Sequence, residues 1–174
     1  MKLQISVSTQ GALLDGTAPK VIQAGLDRFV TQATLFLLTE VQKRTPQGVF
    51  GAQGGLLGSI QDQVYNKGTP IVKGVVMSAQ KYAEVIEKGR RPGKGLASAV
   101  PGDKYVSPLI PWVNKKLGLS GKDAERVAYL IGRKIKAEGF EGRHMFEKAA
   151  NENIGRLEAM AQACGLTIAR ELSE

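Results

Sequence analysis

The chain has 174 residues, 43% of them hydrophobic and 23% charged, enough for a single soluble domain with one core. No run reaches the ~18 apolar residues of a membrane span, and the opening Met1-Lys2-Leu3-Gln4-Ile5-Ser6 lacks the apolar stretch of a secretory signal, so a cytosolic product is the expectation. One cysteine (Cys164) and one histidine (His144) exclude an internal disulfide, a cysteine-built zinc site and chemistry needing two imidazoles, which leaves a net charge of +8 to be explained and no cofactor or metal expected.

Residues 1–8 alternate, with Leu3, Ile5 and Val7 set against Lys2, Gln4, Ser6 and Ser8, the pattern of a half-buried strand. Thr17 and Pro19 start a helix predicted over 18–44 and carried by Val21, Ile22, Leu26, Phe29, Val30, Ala33, Leu37 and Val41. Thr45-Pro46 stops it, because a residue before proline avoids the α region. The run Leu35-Phe36-Leu37-Leu38 widens the apolar face, so this helix is expected to pack on two sides, within the domain or against a neighbouring subunit. Residues 45–58 carry five glycines (Gly48, Gly51, Gly54, Gly55, Gly58) and read as a loop.

Residues 59–88 read as a hairpin turning through Lys67-Gly68-Thr69-Pro70, followed by a short helix that Gly89 ends. Residues 89–106 read as a second loop, basic in character. Residues 107–174 read as helical: a segment from Leu109 to Leu117, a helix opened by Ser120 with Asp123 in a capping-box arrangement and closed by Gly139, and a final stretch from Met145 to Leu172 interrupted at Gly155 or Gly165. The expected fold is α+β, one domain over 1–174 in which a small antiparallel sheet is packed by the long N-terminal helix, with a helical C-terminal third.

The charge is concentrated. Lys88, Arg90, Arg91, Lys94, Lys104, Lys115, Lys116, Lys122, Arg126, Arg133, Lys134 and Lys136 face only Asp103, Asp123 and Glu125 within the same segment, while the rest of the chain is close to neutral. Such a field attracts phosphates or acidic protein surfaces, or simply keeps the surface solvated. Tyr105, Trp112 and Tyr129 are interleaved with the cations as single-strand stacking requires, although Trp112 and Tyr129 also occupy positions that an amphipathic helix buries. No helix-turn-helix, zinc-finger or RNP pattern is present.

Catalytic patterns are thin. The glycine-rich stretch is no Walker loop, since no lysine lies between Lys43 and Lys67. Glu84 and Glu87 share a helical face, which allows acid-base work in principle and surface pairing with Lys81 or Lys88 more simply. His144 has no carboxylate orienter or nucleophile evident in the sequence, and Cys164 reads as a small packed residue.

Several short motifs occur in a characteristic order. Thr45-Pro46 precedes Gly54-Gly55-Leu56-Leu57-Gly58-Ser59-Ile60; then come Tyr82-Ala83 with Glu87-Lys88-Gly89, Arg90-Arg91-Pro92-Gly93-Lys94, Pro111-Trp112-Val113 and the stretch from Phe140 to Ala149. From about Ala18 to Leu157 this order resembles the tail-completion, or head-to-tail joining, proteins of tailed bacteriophages, also called neck proteins or minor tail components. Gly54-Gly55 stands where that family has threonine-glycine, and Arg143-His144-Met145 where it has a proline.

The resemblance implies a non-enzymatic virion protein, assembled in the host cytoplasm as a homo-oligomeric ring at the head-to-tail junction. Such a ring encloses the DNA channel and joins connector and neck proteins to the tail tube, with no membrane contact. Under it, Lys88, Arg90, Arg91, Lys94, Lys104, Lys115, Lys116, Arg126, Arg133 and Lys134 become candidate contacts to packaged DNA or to acidic partner rings. Phe29, Leu35, Phe36 and Leu38 become candidate contacts between copies. The alternative is a small basic nucleic-acid-binding module without catalytic activity.

Overall fold

The computed structural model describes residues 16–49, 55–93 and 109–173. The expected strand at 1–8, the centre of the first glycine-rich loop, and most of the basic loop, including Lys94 and Lys104, lie outside those residues. In chain order the elements are α1 (Ala18–Arg44), α2 (Gly55–Gly58), β1 (Ile60–Tyr65), β2 (Lys73–Ser78), α3 (Ala83–Lys88), β3 (Gly89–Arg90), α4 (Leu109–Leu117), α5 (Gly121–Glu138), β4 (Phe140–Glu141), α6 (Met145–Asn151) and α7 (Ile154–Ser173). The fold is mixed, with a long N-terminal helix, a small antiparallel sheet of β1 and β2, and a helical C-terminal part. No helix among the described residues is long and apolar enough to cross a membrane.

Contacts gather into two units, each built from separated stretches. The first comprises residues up to Thr39, Asp62–Val76 and Ala150 onward; the second comprises Glu40–Gln61 and Met77–Ala149. In the first unit α1 is packed on two opposite faces. On one, α7 runs antiparallel to it: Gly25 meets Ile168 and accepts the Cys164 thiol at 3.3 Å, while the Arg156 guanidinium stacks 4.9 Å above the Phe36 ring. Gly25 allows this approach, because a Cβ there would overlap the Ile168 side chain. About half a helical turn away, Thr34 lies against Gly74 of β2, and the Asp27 carboxylate accepts the Gly68 amide at 2.9 Å. Arg28 donates to both carboxylate oxygens of Glu171, at 2.7 and 2.9 Å, which raises its pKa above the ordinary value; the pair is exposed and holds little stability.

The second unit has two apolar centres. In one, Val113 of α4 and Ala124 and Ala128 of α5 are fully buried, ringed by Leu109, Ile110, Leu119, Val127 and Ile131. Ala124, Ala128 and Gly132 recur every fourth residue on the buried side of α5, so no large side chain separates the two helices. In the other, Leu56, Ala83 and Met145 are buried, with Ile86 and Phe146 against them. Thr45, at the end of α1, belongs to the same region. Its hydroxyl bonds the Val41 carbonyl at 2.7 Å and the Met145 sulfur at 3.3 Å, so the threonine that precedes Pro46 is buried and satisfied.

Four expectations require correction. Gly55 to Gly58 is a helical turn rather than loop, pinned by buried Leu56. Ser120 is extended as a cap should be, yet its side chain makes no capping bond, so the capping box is absent. The break in the last helical stretch falls at Glu152-Asn153, where the Asn153 amide turns back to the Ala150 carbonyl at 3.2 Å; Gly155 and Gly165 are helical, each in open space. Phe140-Glu141 forms a two-residue strand with Gly89-Arg90, in the register Gly89 to Glu141 and Arg90 to Phe140.

Gly89 is required at that crossing. Its φ of +76° suits glycine, and an added Cβ would lie 2.5 Å from the Gly142 amide nitrogen and the Phe140 carbonyl oxygen. Gly68 has nearly the same φ, +75°, with nothing near the same position. Urea unfolding should therefore rank the variants: Gly68→Ala costs about 1 kcal/mol from backbone conformation alone, and Gly89→Ala costs at least twice as much. A second measurement concerns the end of α1, where Glu40 accepts Lys43 at 2.7 Å and Arg44 at 2.6 Å and its pKa drops from 4.5 to about 2. A carboxylate depressed on folding adds stability that is complete above its unfolded value and disappears as pH falls to its folded value. The stability gap between wild type and Glu40→Gln should be constant above about pH 5.5 and close between pH 4.5 and about 2 in urea titrations.

Candidate functional site

The motif residues singled out in the sequence converge in the second unit. Leu56, Ser59 and Ile60 are buried, the Ser59 hydroxyl bonding the Leu56 carbonyl and the Ser78 hydroxyl, each at 2.7 Å. Thr45 and Ala83 lie around Met145 as described above. Glu87 holds the arrangement together. Its carboxylate accepts the Phe146 amide at 3.1 and 3.2 Å and the Glu147 amide at 3.0 Å, the second and third amides of α6. Those amides are normally bonded by the side chain of the residue that precedes a helix. Here that residue is His144, which has a positive φ of +52° and turns its imidazole to the Glu147 carboxylate at 2.8 Å. The cap comes instead from a residue far upstream. Backbone bonds from Arg143 to Ile86 (2.8 Å) and from His144 to Glu87 (3.1 Å) close the same junction.

Each catalytic candidate has a partner, and His144 gains a neighbouring carboxylate that the sequence did not make evident. Glu87 is bonded to backbone, His144 to Glu147, and Glu84 to Lys88 at 2.8 Å, an exposed pair that lowers the Glu84 pKa and raises that of Lys88. No group of three or more metal-ligating side chains occurs among the described residues. Sequence reasoning took Glu87 for a helix-surface carboxylate. Its role as a cap lies in a contact with residues 146 and 147, and no local pattern announces it.

The candidate cations divide by their partners. Lys88 is held by Glu84, and Lys134 reaches Glu138 at 3.8 Å. Arg90 sits in the β3–β4 pair with Arg91 just after it, and the amide of nearby Gly93 bonds the Lys136 carbonyl at 2.8 Å at the end of α5. Lys115 and Lys116 end α4, both exposed. On α5, Lys122, Arg126, Arg133 and Lys136 are exposed and meet no carboxylate among the described residues. At 100° per residue they fall within about 80° of one another, opposite the side that carries Ala124, Val127 and Ile131, with Tyr129 between them. Lys122 and Lys136 are not among the candidate contacts that the resemblance implies; helical spacing places them with Arg126 and Arg133.

The apolar candidates on α1 also divide. Phe36 lies under Arg156, and Phe29 lines a groove of about 250 Å³ between α1 and α7 with Gln32, Met160 and Cys164. Leu38 is half-buried, while Leu35 keeps 54% of its surface exposed. Along α7, Ile154, Leu157, Met160, Cys164, Ile168 and Leu172 recur at helical spacing, yet no residue of that helix is buried. Leu166, on its far side, is 73% exposed, and Ile71 in the hairpin connection is 76% exposed.

No family model, curated protein or solved structure matches the chain.

The capping role has a direct test. Glu87→Gln removes the charge that faces two amides at a helix N-terminus and should lower unfolding stability by about 1–2 kcal/mol, whereas Glu84→Gln should leave the urea midpoint unchanged.

Proposed function

We propose that this protein is a structural assembly subunit, a tail-completion or head-to-tail joining protein of a tailed bacteriophage. In this reading it forms a homo-oligomeric ring between the connector and the tail tube and performs no catalysis. The observation that carries the reading is α7, a 20-residue helix with a continuous apolar stripe and not one buried side chain. A helix of that pattern gains its stability from an apolar face removed from water, at about 25 cal/mol per Å². α1 covers one side of it, and a second copy completes the burial.

Ring closure needs two different surfaces that meet head to tail. The first unit supplies separate ones: Leu35 on α1, Ile71 on the hairpin, and Leu166 on α7. The ordered motifs add support, since Thr45, Leu56, Ala83, Glu87 and Gly89 all serve one packed junction, which gives a physical reason for their order and spacing. The junction is a scaffold, and the uncovered faces are where the subunit meets other proteins.

Native mass spectrometry and negative-stain imaging of the purified chain should find closed rings of one copy number. Leu35→Asp with Leu166→Asp should return it to monomers with unchanged far-UV circular dichroism. A wild-type chain that stays monomeric at tens of micromolar, and does not assemble on tails lacking their completion protein, would refute the reading.

A further inference from the structure

We infer that the outward face of α5 binds the phosphate backbone of duplex nucleic acid without reading its sequence. Lys122, Arg126, Arg133 and Lys136 form a single line along an 18-residue helix. From first to last the line covers about 21 Å at ~1.5 Å per residue. All four are exposed, and none is neutralised by a carboxylate among the described residues; Lys134, which points off the line, is the cation of this helix that has found one. Lys115 and Lys116 close α4 just before the line begins, and the only acids on α5 ahead of Arg126 are Asp123 and Glu125.

The chemistry of the line separates possible partners. A protein interface buries an apolar centre depleted of charge, with lysine the most depleted cation. Here four exposed cations, two of them lysines, flank the half-buried Tyr129, with Leu130 at the side. A duplex presents one negative charge per ~1.7 Å of its axis, so four cations spread over some 21 Å of one helix face each find a phosphate within reach. An acidic protein must assemble an equally long row of carboxylates to match it. The inner face of α5 is committed to α4, so the helix is fixed as a rigid support for the charges. The inference does not depend on ring formation, because each chain carries the whole line.

The test is a fluorescence-anisotropy titration of a labelled 24-base-pair duplex of arbitrary sequence, at salt concentrations from 50 to 300 mM. Wild type should bind, and log K should fall against log salt with a slope of about −3 to −4 for roughly four phosphate contacts per chain. The quadruple variant Lys122→Gln, Arg126→Gln, Arg133→Gln, Lys136→Gln should lose most of that slope, and Arg126→Gln alone should reduce it by about 1. A control of equal charge change, Lys20→Gln, Lys67→Gln, Lys148→Gln, Arg170→Gln, should keep the wild-type slope. Equal loss in the two quadruple variants would overturn the inference, as would no binding at 50 mM salt. Binding of polyglutamate that the duplex fails to displace would assign the face to an acidic protein and overturn it as well. Rings without duplex binding refute this inference alone, and duplex binding by a monomer refutes the ring alone.

Discussion

The bond between the Glu87 carboxylate and the first turn of α6 is the constraint on which the second unit depends. Two amides at a helix start, Phe146 and Glu147, have no partner within their own helix, and leaving such groups unsatisfied costs more than any single surface contact returns. A charged acceptor at that end also meets the positive pole of the helix. Once Glu87 is committed there, α3 must end within reach of α6, and the chain leaving α3 must pass the chain entering α6 at backbone distance. Gly89 and Gly142 permit that passage, and the short β3–β4 ladder records it. Met145 follows directly, buried completely between Leu56, Ala83 and the Thr45 hydroxyl.

What could be read in the amino acids was what is decided locally. Proline at the second position of α1 and threonine-proline at its end bound the helix almost to the residue, since backbone sterics act between neighbours. Gly139 closed α5 for a similar reason: its amide makes the last bond of the helix, to the Ile135 carbonyl, and its positive φ then turns the chain away. The elements that escaped are non-local. A strand of two residues carries no alternation to detect, and a cap donated from 59 positions away looks like one more glutamate. Glycine was a poor guide to the break before α7, because Gly155 and Gly165 sit exposed in regular helix while the chain turns at Glu152-Asn153. On the candidate surface, the cationic line was legible from helical spacing. The pairing of Lys88 and Lys134 also follows the i to i+4 rule, yet only the fold shows which cations are left without acids.

α5 is a helix divided by residue size as much as by polarity. Its inner side is made of the smallest residues available, at positions 124, 128 and 132, so that α4 packs closely through Val113. Small residues give up apolar area of their own, and the return is close packing of larger side chains around them, Val127 and Ile131 of α5 and Leu109 and Ile110 of α4. The long cationic side chains lie on the exposed side, away from Ala124, Val127 and Ile131. Charge on the outer side is therefore free of any duty to the core.

The two units are threaded through each other along the sequence. α1, β1, β2 and α6 each begin in one unit and end in the other, and the first unit is assembled from three separate stretches of chain. No pair of cuts releases either unit as a continuous segment. Recombination between related genes therefore cannot exchange one unit and keep the other, as it can with domains strung in tandem. Whatever the two units do, they are inherited together, and a change in one must be tolerated by a chain that also builds its neighbour.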